Sequence, residues 1–344
     1  MRDLVELQKK LYPDLLEVIQ QRYVILNTLA LFQPIGRRGL SERTNLTERN
    51  VRGEIDFLHA QGLVDVTTKG MHITKEGRLV IDQLADFMRE ITGLSVLEKQ
   101  LQDKLHIENV MIVPGDSDQH DWVKKEMGKA CISFLGSRFS TNQTIAVTGG
   151  TTMAAVADEM TPFEHTSHLF VPARGGIGEK VENQANTIVS KMAVKAKGDY
   201  RLLYVPDPLS ETSYQTMIKE PSIIEVLQII KDSDVILHGI GEAITMAKRR
   251  KTEESVVQHL EANQAVSEAF GYYFNENGDV VHKVRTIGIH LDDLASIGCV
   301  VTIAGGGTKG KAISSYFRQG KSNVLITDEV AAEQILRENS PLNK

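Results

Sequence analysis

Beyond Ile107 the chain repeats one pattern, a short run of β-branched and aliphatic residues followed by a stretch with helical spacing. The runs are Val110–Val113, Thr144–Thr148, His168–Val171, Arg201–Val205, Asp234–Leu237, Val284–Ile287, Cys299–Ile303 and Asn323–Thr327. Strands this continuously apolar, separated by helices, belong to a parallel sheet covered on both faces, which makes this part of the chain α/β. In such sheets ligands bind at the carboxyl ends of the strands, so the strand exits are the places to look for chemistry.

The 344 residues exceed one ordinary domain, and the segment before Ile107 reads differently. Apolar residues at three and four spacing predict a helix over 14–33, closed by Pro34. A short helix follows over Arg38–Thr44, then a longer one opening at Thr47 and running to about Gln61. Thr47 suits an N-cap, and Asn45 tolerates the left-handed conformation of a tight turn between two helices. Leu63–Thr67 and Met71–Thr74 alternate apolar and polar residues around Lys69-Gly70, which predicts a hairpin. Three helices and a hairpin in this order describe a winged helix-turn-helix domain over 1–78.

From 79 to 106 the pattern returns to helix, with Val80, Leu84, Phe87, Ile91, Leu94, Leu97, Leu101 and Leu105 at steps of three or four, interrupted only by Gly93. Such a stripe serves either as a linker seam that pairs two protomers or as the buried face of a helix on its own domain. Residues 107–344 then form the larger effector domain.

The net charge of −6 would argue against nucleic acid as a partner if it were evenly spread, but it is not. Between Gly36 and Arg52 five arginines stand against two glutamates. On the helix from Thr47, Val51, Ile55 and Leu58 share one stripe, which leaves Arg49, Arg52 and Gly53 opposite and Asn50 on the flank. Arginine reads guanine and asparagine adenine in a major groove, while Thr47 at the helix start suits a phosphate. Arg37, Arg38 and Arg43, with Lys69 at the wing tip, would contact backbone phosphates.

In the second region Thr148-Gly149-Gly150-Thr151-Thr152 joins a strand directly to a helix. Glycines admit an anion to the backbone, the helix start supplies free N–H groups, and the threonines add hydroxyls. Ala173-Arg174-Gly175-Gly176 offers a guanidinium for bidentate phosphate contact, and Ala304–Lys311 offers an ammonium. Gly305–Lys311 nearly matches a nucleotide phosphate loop, but Ala312 stands where its magnesium-binding hydroxyl belongs. No GxGxxG opens an early strand–helix unit, so a dinucleotide enzyme is not expected.

Together Val113-Pro114-Gly115, Thr148–Thr152, Ala173–Gly176, Glu268–Phe274 and Gly305–Ile313 resemble the SorC/DeoR group of bacterial sugar-responsive transcription regulators, over essentially the whole chain. The resemblance implies a doubly wound, Rossmann-like effector domain related to sugar-phosphate isomerases and deaminases. It implies a repressor of glycolytic genes whose hold on double-stranded operator DNA is modulated by a sugar phosphate, fructose-1,6-bisphosphate in the members it resembles most. Carried over by motif position, Gly149, Gly150, Thr151, Thr152, Arg174 and Lys309 would bind phosphate, and Gln184 and Glu268 would meet sugar hydroxyls or phosphate oxygens. A homo-oligomer, dimer or tetramer, goes with that reading. The kinship with deaminases keeps an enzyme as the alternative, but after Ile236–Gly241 the chain continues Glu242-Ala243-Ile244, without the acid–histidine pair that would move protons. No catalytic residue, metal or cofactor other than the effector is expected. Two distant cysteines, apolar runs far short of the ~20 residues of a membrane span and an opening Met1–Glu6 that carries no apolar h-region point to the cytoplasm.

Overall fold

The chain divides into two units, Met1–Val96 and Leu97–Lys344. The structure, a computed structural model, describes residues 7–8, 10–44, 46–163, 166–176 and 180–338.

In the first unit α1 (Pro13–Phe32), α2 (Arg37–Thr44) and α3 (Glu48–Ala60) precede a hairpin of β1 (Val64–Thr67) and β2 (Gly70–Ile73), and α4 (Lys75–Thr92) follows. The Thr47 hydroxyl accepts a hydrogen bond from Asn50 N at 3.2 Å, so the expected cap starts α3. Val51, Ile55 and Leu58 are buried against Ile25, Leu29, Leu40, Val64 and Met71, and the hairpin is tied to the helices by a bridge between Ile35 and Met71. Burial of that stripe fixes which side of α3 remains in solvent. Asn45 lies outside the described residues.

The single helix expected over 79–105 is instead two. Thr74 caps α4 at its start through Gly77 N, and Gly93, at φ +79°, ends it in the left-handed conformation that glycine adopts without steric cost. A separate α5 (Leu94–Leu105) follows. Leu101 and Leu105 are buried, Glu98 accepts from Ile112 N at 2.7 Å, and Lys104 Nζ donates to the carbonyls of Ile335 and Glu338 at 2.6 and 2.5 Å. At these positions the stripe is consumed inside the chain and offers no exposed seam to a partner.

The second unit runs β3 (Asn109–Val113), α6 (Asp121–Arg138), β4 (Thr144–Val147), α7 (Thr151–Glu159), β5 (Leu169–Pro172), α8 (Ala185–Ala196), β6 (Asp199–Tyr200), α9 (Glu211–Met217), α10 (Pro221–Lys231) and β7 (Val235–His238). Then come β8 (Gly241–Glu242), α11 (Ala243–Arg249), α12 (Glu254–Ala262), β9 (Ala265–Ala269), β10 (Tyr272–Asn275), β11 (Val280–Lys283), β12 (Cys299–Ile303), α13 (Gly310–Phe317), β13 (Val324–Asp328) and α14 (Glu329–Arg337). Seven parallel strands form a Rossmann-like sheet in the order β3-β13-β12-β7-β4-β5-β6. After β4 the chain winds outward through β5 and β6, then returns to the other side of β4 with β7. The sheet therefore reverses direction between β4 and β7, and a crevice opens at their carboxyl ends.

Two expected strands are absent. After the two residues of β6 the chain peels away, and Leu203 N turns to the Asn186 side chain rather than to a ladder. Val284–Ile287 is extended but unladdered: Arg285 O accepts from Leu209 N and Ile287 O from Gly175 N, so it threads between two loops. The sequence pattern also did not disclose the four-stranded antiparallel sheet β11-β10-β9-β8, which carries Glu268.

At the end of β7, His238 is fully buried with Nδ1 3.1 Å from Gly239 O and Nε2 2.8 Å from Thr302 Oγ1. Nδ1–H donates to the carbonyl, which leaves Nε2 as an acceptor and the ring neutral. Burial draws its pKa down to about 4, partly offset by the Gly239 hydrogen bond and by Glu268. In the unfolded chain the ring takes up its proton near pH 6.5, in the folded chain only near pH 4, so stability is lost as pH falls between the two, by about 3 kcal/mol. Denaturant unfolding at pH 7 and pH 4.5 checks this: His238→Asn should flatten that part of the profile, and an unchanged slope would contradict the assignment.

Candidate functional site

The crevice between β4 and β7 holds a cavity of about 220 Å³. Gly149, Gly150, Thr151, Thr152, Arg174, Gln184, Glu268 and Lys309, residues from five separate stretches of sequence, all line it. The β4 exit shows why glycines stand there. Gly150 has φ +124°, and a Cβ on Gly149 would lie 2.7 Å from Asn183 O. Gly150 N donates to that same carbonyl at 2.9 Å, which pins the loop. Gly150 as N-cap offers no side chain to the first turn of α7, and this turn, with Thr151 and Thr152, lines the cavity with the N–H groups that suit an anion.

Lys309 is partly buried, and burial lowers its pKa against the opposing pull of Asp118. The loop that carries it differs from a phosphate loop in a further respect. Thr308 N and Oγ1 donate to Asp118 Oδ2 at 2.9 and 2.7 Å, and Gly306 N donates to Asp328 Oδ2 at 2.7 Å. With its backbone donors committed to carboxylates, this glycine-rich exit brings the ammonium of Lys309 to the cavity rather than a second anion cradle.

Arg174, which lines the cavity, is also held by carboxylates. Its Nη2 is paired with Asp207 and its Nη1 lies 3.4 Å from Glu268 Oε1, both in the interior. Glu268 also accepts from Arg250 Nη2 at 2.8 Å and from Gly271 N at 2.6 Å. Burial works to raise the Glu268 carboxyl, but Arg250 and Arg174 beside it hold it below the usual carboxylate range, so it is ionised. Gln184 is the N-cap residue of α8 rather than an interior helical position, and its Oε1 stands 2.6 Å from where a Cβ on Gly176 would lie. Glu242 accepts from Ile244 N and Thr245 N at 3.0 and 2.7 Å, a helix cap that occupies both oxygens and leaves it unsuited to be a base.

Sequence reasoning missed Asp207, Arg249 and Arg250. Arg249 and Arg250 line the cavity at the end of α11, inside the run Lys248–Lys251. That basic run was the one available signal, but its reading depends on β9 folding back over α11, which no local pattern announces.

In the first unit Arg38, Arg43, Thr47, Arg49, Asn50, Arg52 and Lys69 are all exposed. On α2, Arg38 pairs with Glu42 at 3.1 Å and Arg43 lies 3.9 Å over the Phe32 ring. Arg37 is 3.6 Å from Asp56. Gly53 opens onto free space on the same face, and Lys69 occupies the hairpin turn.

A winged helix with an exposed arginine-bearing face, followed by a Rossmann-like unit with a cavity at its switch point, is the architecture of a DNA-binding regulator with a small-molecule sensor. Comparison with known proteins makes this specific. Residues 18–88 match the family described as "CggR N-terminal DNA binding domain", and residues 89–337 match "Putative sugar-binding domain". The chain is 51% identical over 340 residues to the central glycolytic genes regulator of Priestia megaterium, covering 98% of this chain and 99% of that one. It is likewise 51% identical over 339 residues to that of Bacillus subtilis, covering 98% and 100%. Among solved structures, "the putative SorC family transcriptional regulator from Enterococcus faecalis" superposes with a TM-score of 0.66 at 45% identity, over 70% of this chain and 99% of that one. The full-length sorbitol operon regulator SorC of Klebsiella pneumoniae gives 0.66 over 94% and 100% at 17% identity, a likeness of fold. The chain belongs to the SorC family of sugar-binding transcriptional regulators and, within it, to the central glycolytic genes regulators.

Among the described residues, no helix is long and apolar enough to cross a membrane.

Proposed function

We propose that this protein is a homo-oligomeric repressor of glycolytic genes whose affinity for its operator is set by a sugar carrying two phosphates, fructose-1,6-bisphosphate. The observation that carries the reading is the pairing, in one cavity, of an uncapped helix N-terminus at Gly149–Thr152 with Lys309 and Arg249 from two other elements. One phosphate fills one cradle; cations on separate elements give a second phosphate its own partners. The relatives' name supports the glycolytic setting.

Ligand phosphates draw the β4 exit, α11 and the Lys309 loop together. Closure alters contacts between subunits and, through residues 79–105, the DNA affinity of the winged helices. The ligand does this only to the extent that it binds one arrangement more tightly than the other. The enzyme alternative is disfavoured at Glu242, the carboxylate at the β7 exit, because both of its oxygens cap a helix.

A thermal-shift panel tests the ligand. Fructose-1,6-bisphosphate at ~100 times its dissociation constant adds about 2.7 kcal/mol and raises Tm by a few degrees, whereas the two monophosphates and inorganic phosphate should give less. A shift with glucosamine-6-phosphate alone, or with none of these compounds, would contradict the proposal.

A further inference from the structure

Among the described residues two carboxylates line the cavity, Glu242 and Glu268, and they are not equivalent. Both oxygens of Glu242 are occupied by the N–H groups of Ile244 and Thr245. On Glu268 the three donors all converge on one oxygen: Arg250 Nη2 at 2.8 Å, Gly271 N at 2.6 Å and Arg174 Nη1 at 3.4 Å all meet Oε1. Among the described residues Oε2 takes no hydrogen bond, and it lies 3.6 Å from the position of a Cβ on Gly241 at the cavity wall. In a pocket built from N–H groups, hydroxyls and cations, Oε2 is thus an ionised oxygen kept available as an acceptor.

Arg250 is what holds Glu268 this way. It borders the cavity, but its side chain is 1% exposed and both Nη groups are committed, one to Glu268 and the other donating to Tyr273 Oη at 2.9 Å on the neighbouring strand. The fork therefore bridges β9 and β10 and fixes the plane of the Glu268 carboxylate from behind. Gly271, at φ +84°, brings its N–H to the same oxygen.

We propose that Arg250 is a positioning residue for ligand specificity: by anchoring Oε1 of Glu268 with Tyr273 as its own tether, it presents Oε2 to a hydroxyl of the ligand, so that the site selects a phosphorylated polyol over a bisphosphate without hydroxyls. An unmet ionised acceptor penalises any ligand that cannot donate to it, which is how a polar pocket rejects an analogue that lacks a hydroxyl. Phosphate oxygens, being acceptors themselves, are turned away from this corner and toward α7 and Lys309. This inference rests on the sugar-bisphosphate reading above.

The test is calorimetric titration of the full chain with fructose-1,6-bisphosphate and with 1,6-hexanediol bisphosphate, which has the two phosphates and no hydroxyls. The wild type should prefer the sugar by about tenfold or more. Arg250→Met should reduce that ratio to near one while leaving affinity for the diol bisphosphate within about twofold, and Arg250→Lys, which keeps a cation beside Oε1, should restore most of it. A ratio unchanged in Arg250→Met, or an equal loss of affinity for both ligands, would overturn the proposal. Should Arg250→Met fail to melt cooperatively, Tyr273→Phe removes one tether alone and must still lower the ratio; an unchanged ratio there overturns it equally. A wild type that binds both ligands equally sinks this inference and leaves the bisphosphate reading intact, whereas a wild type that binds neither sinks both.

Discussion

Arg49→Ala combined with Arg52→Ala should lower affinity for the operator by roughly 100-fold or more, since each well-placed arginine in a major groove contributes about 1–3 kcal/mol. The expectation follows from how α3 is held. Val51, Ile55 and Leu58 are fully buried, which leaves the two arginines on the solvent side, without a partner among the described residues to lose when they are truncated. Stability should therefore stay within about 0.5 kcal/mol of the wild type, and the Tm increase given by fructose-1,6-bisphosphate should be unaffected. Fluorescence anisotropy on operator DNA, with a melting curve alongside, checks both halves. Loss of ligand response in the same variant would mean that the two activities are not separable between the units.

Lys309→Met has the opposite profile. It should weaken fructose-1,6-bisphosphate by about 10- to 100-fold, the worth of one charge-assisted contact in a partly buried site, and leave DNA affinity in the absence of ligand unchanged. Lys309 is the cleaner probe because its ammonium is not part of the buried ion cluster. Arg174 is not clean. Its removal would leave Asp207 without its cation and Glu268 with only Arg250, and breaking such a buried pair typically costs about 3–5 kcal/mol. An Arg174→Ala variant that fails to bind ligand would therefore report on folding as much as on recognition. Isothermal titration and melting of the two variants should separate them: Lys309→Met loses affinity at nearly constant Tm, Arg174→Ala loses both.

What was legible in the sequence was whatever is encoded locally. The strand–glycine–helix junction at Thr148–Thr152 announces itself because a positive φ at Gly150 and the close approach of Asn183 O leave room for nothing else. The Thr47 cap and the buried stripe of α3 are equally local. Long-range pairing was not legible. The motif around Arg174 says nothing of Asp207 or Glu268, which reach it from 33 and 94 residues further along the chain. Val284–Ile287 carries a strand-like composition yet meets loops on either side instead of a ladder. Gly93 was visible as an interruption, but whether a glycine bends a helix or ends it depends on what the following turn can bury, and here Leu101 and Leu105 are taken up by the chain itself. Arg249 and Arg250 were hidden for the same reason, since a basic run on a helix reads as solvated until a second sheet covers it.

On the proposed function, a ligand in the β4–β7 cavity governs DNA binding by a separate unit. The most direct measurement is a titration of the full-length protein onto its own promoter DNA, by band shift, without ligand and with fructose-1,6-bisphosphate well above its dissociation constant, using Lys309→Met as the control. The wild type should show a ligand-dependent change in affinity or cooperativity that is absent in Lys309→Met at the same ligand concentration. Superimposable wild-type binding curves at every concentration, with ligand occupancy verified by its thermal shift, would contradict it.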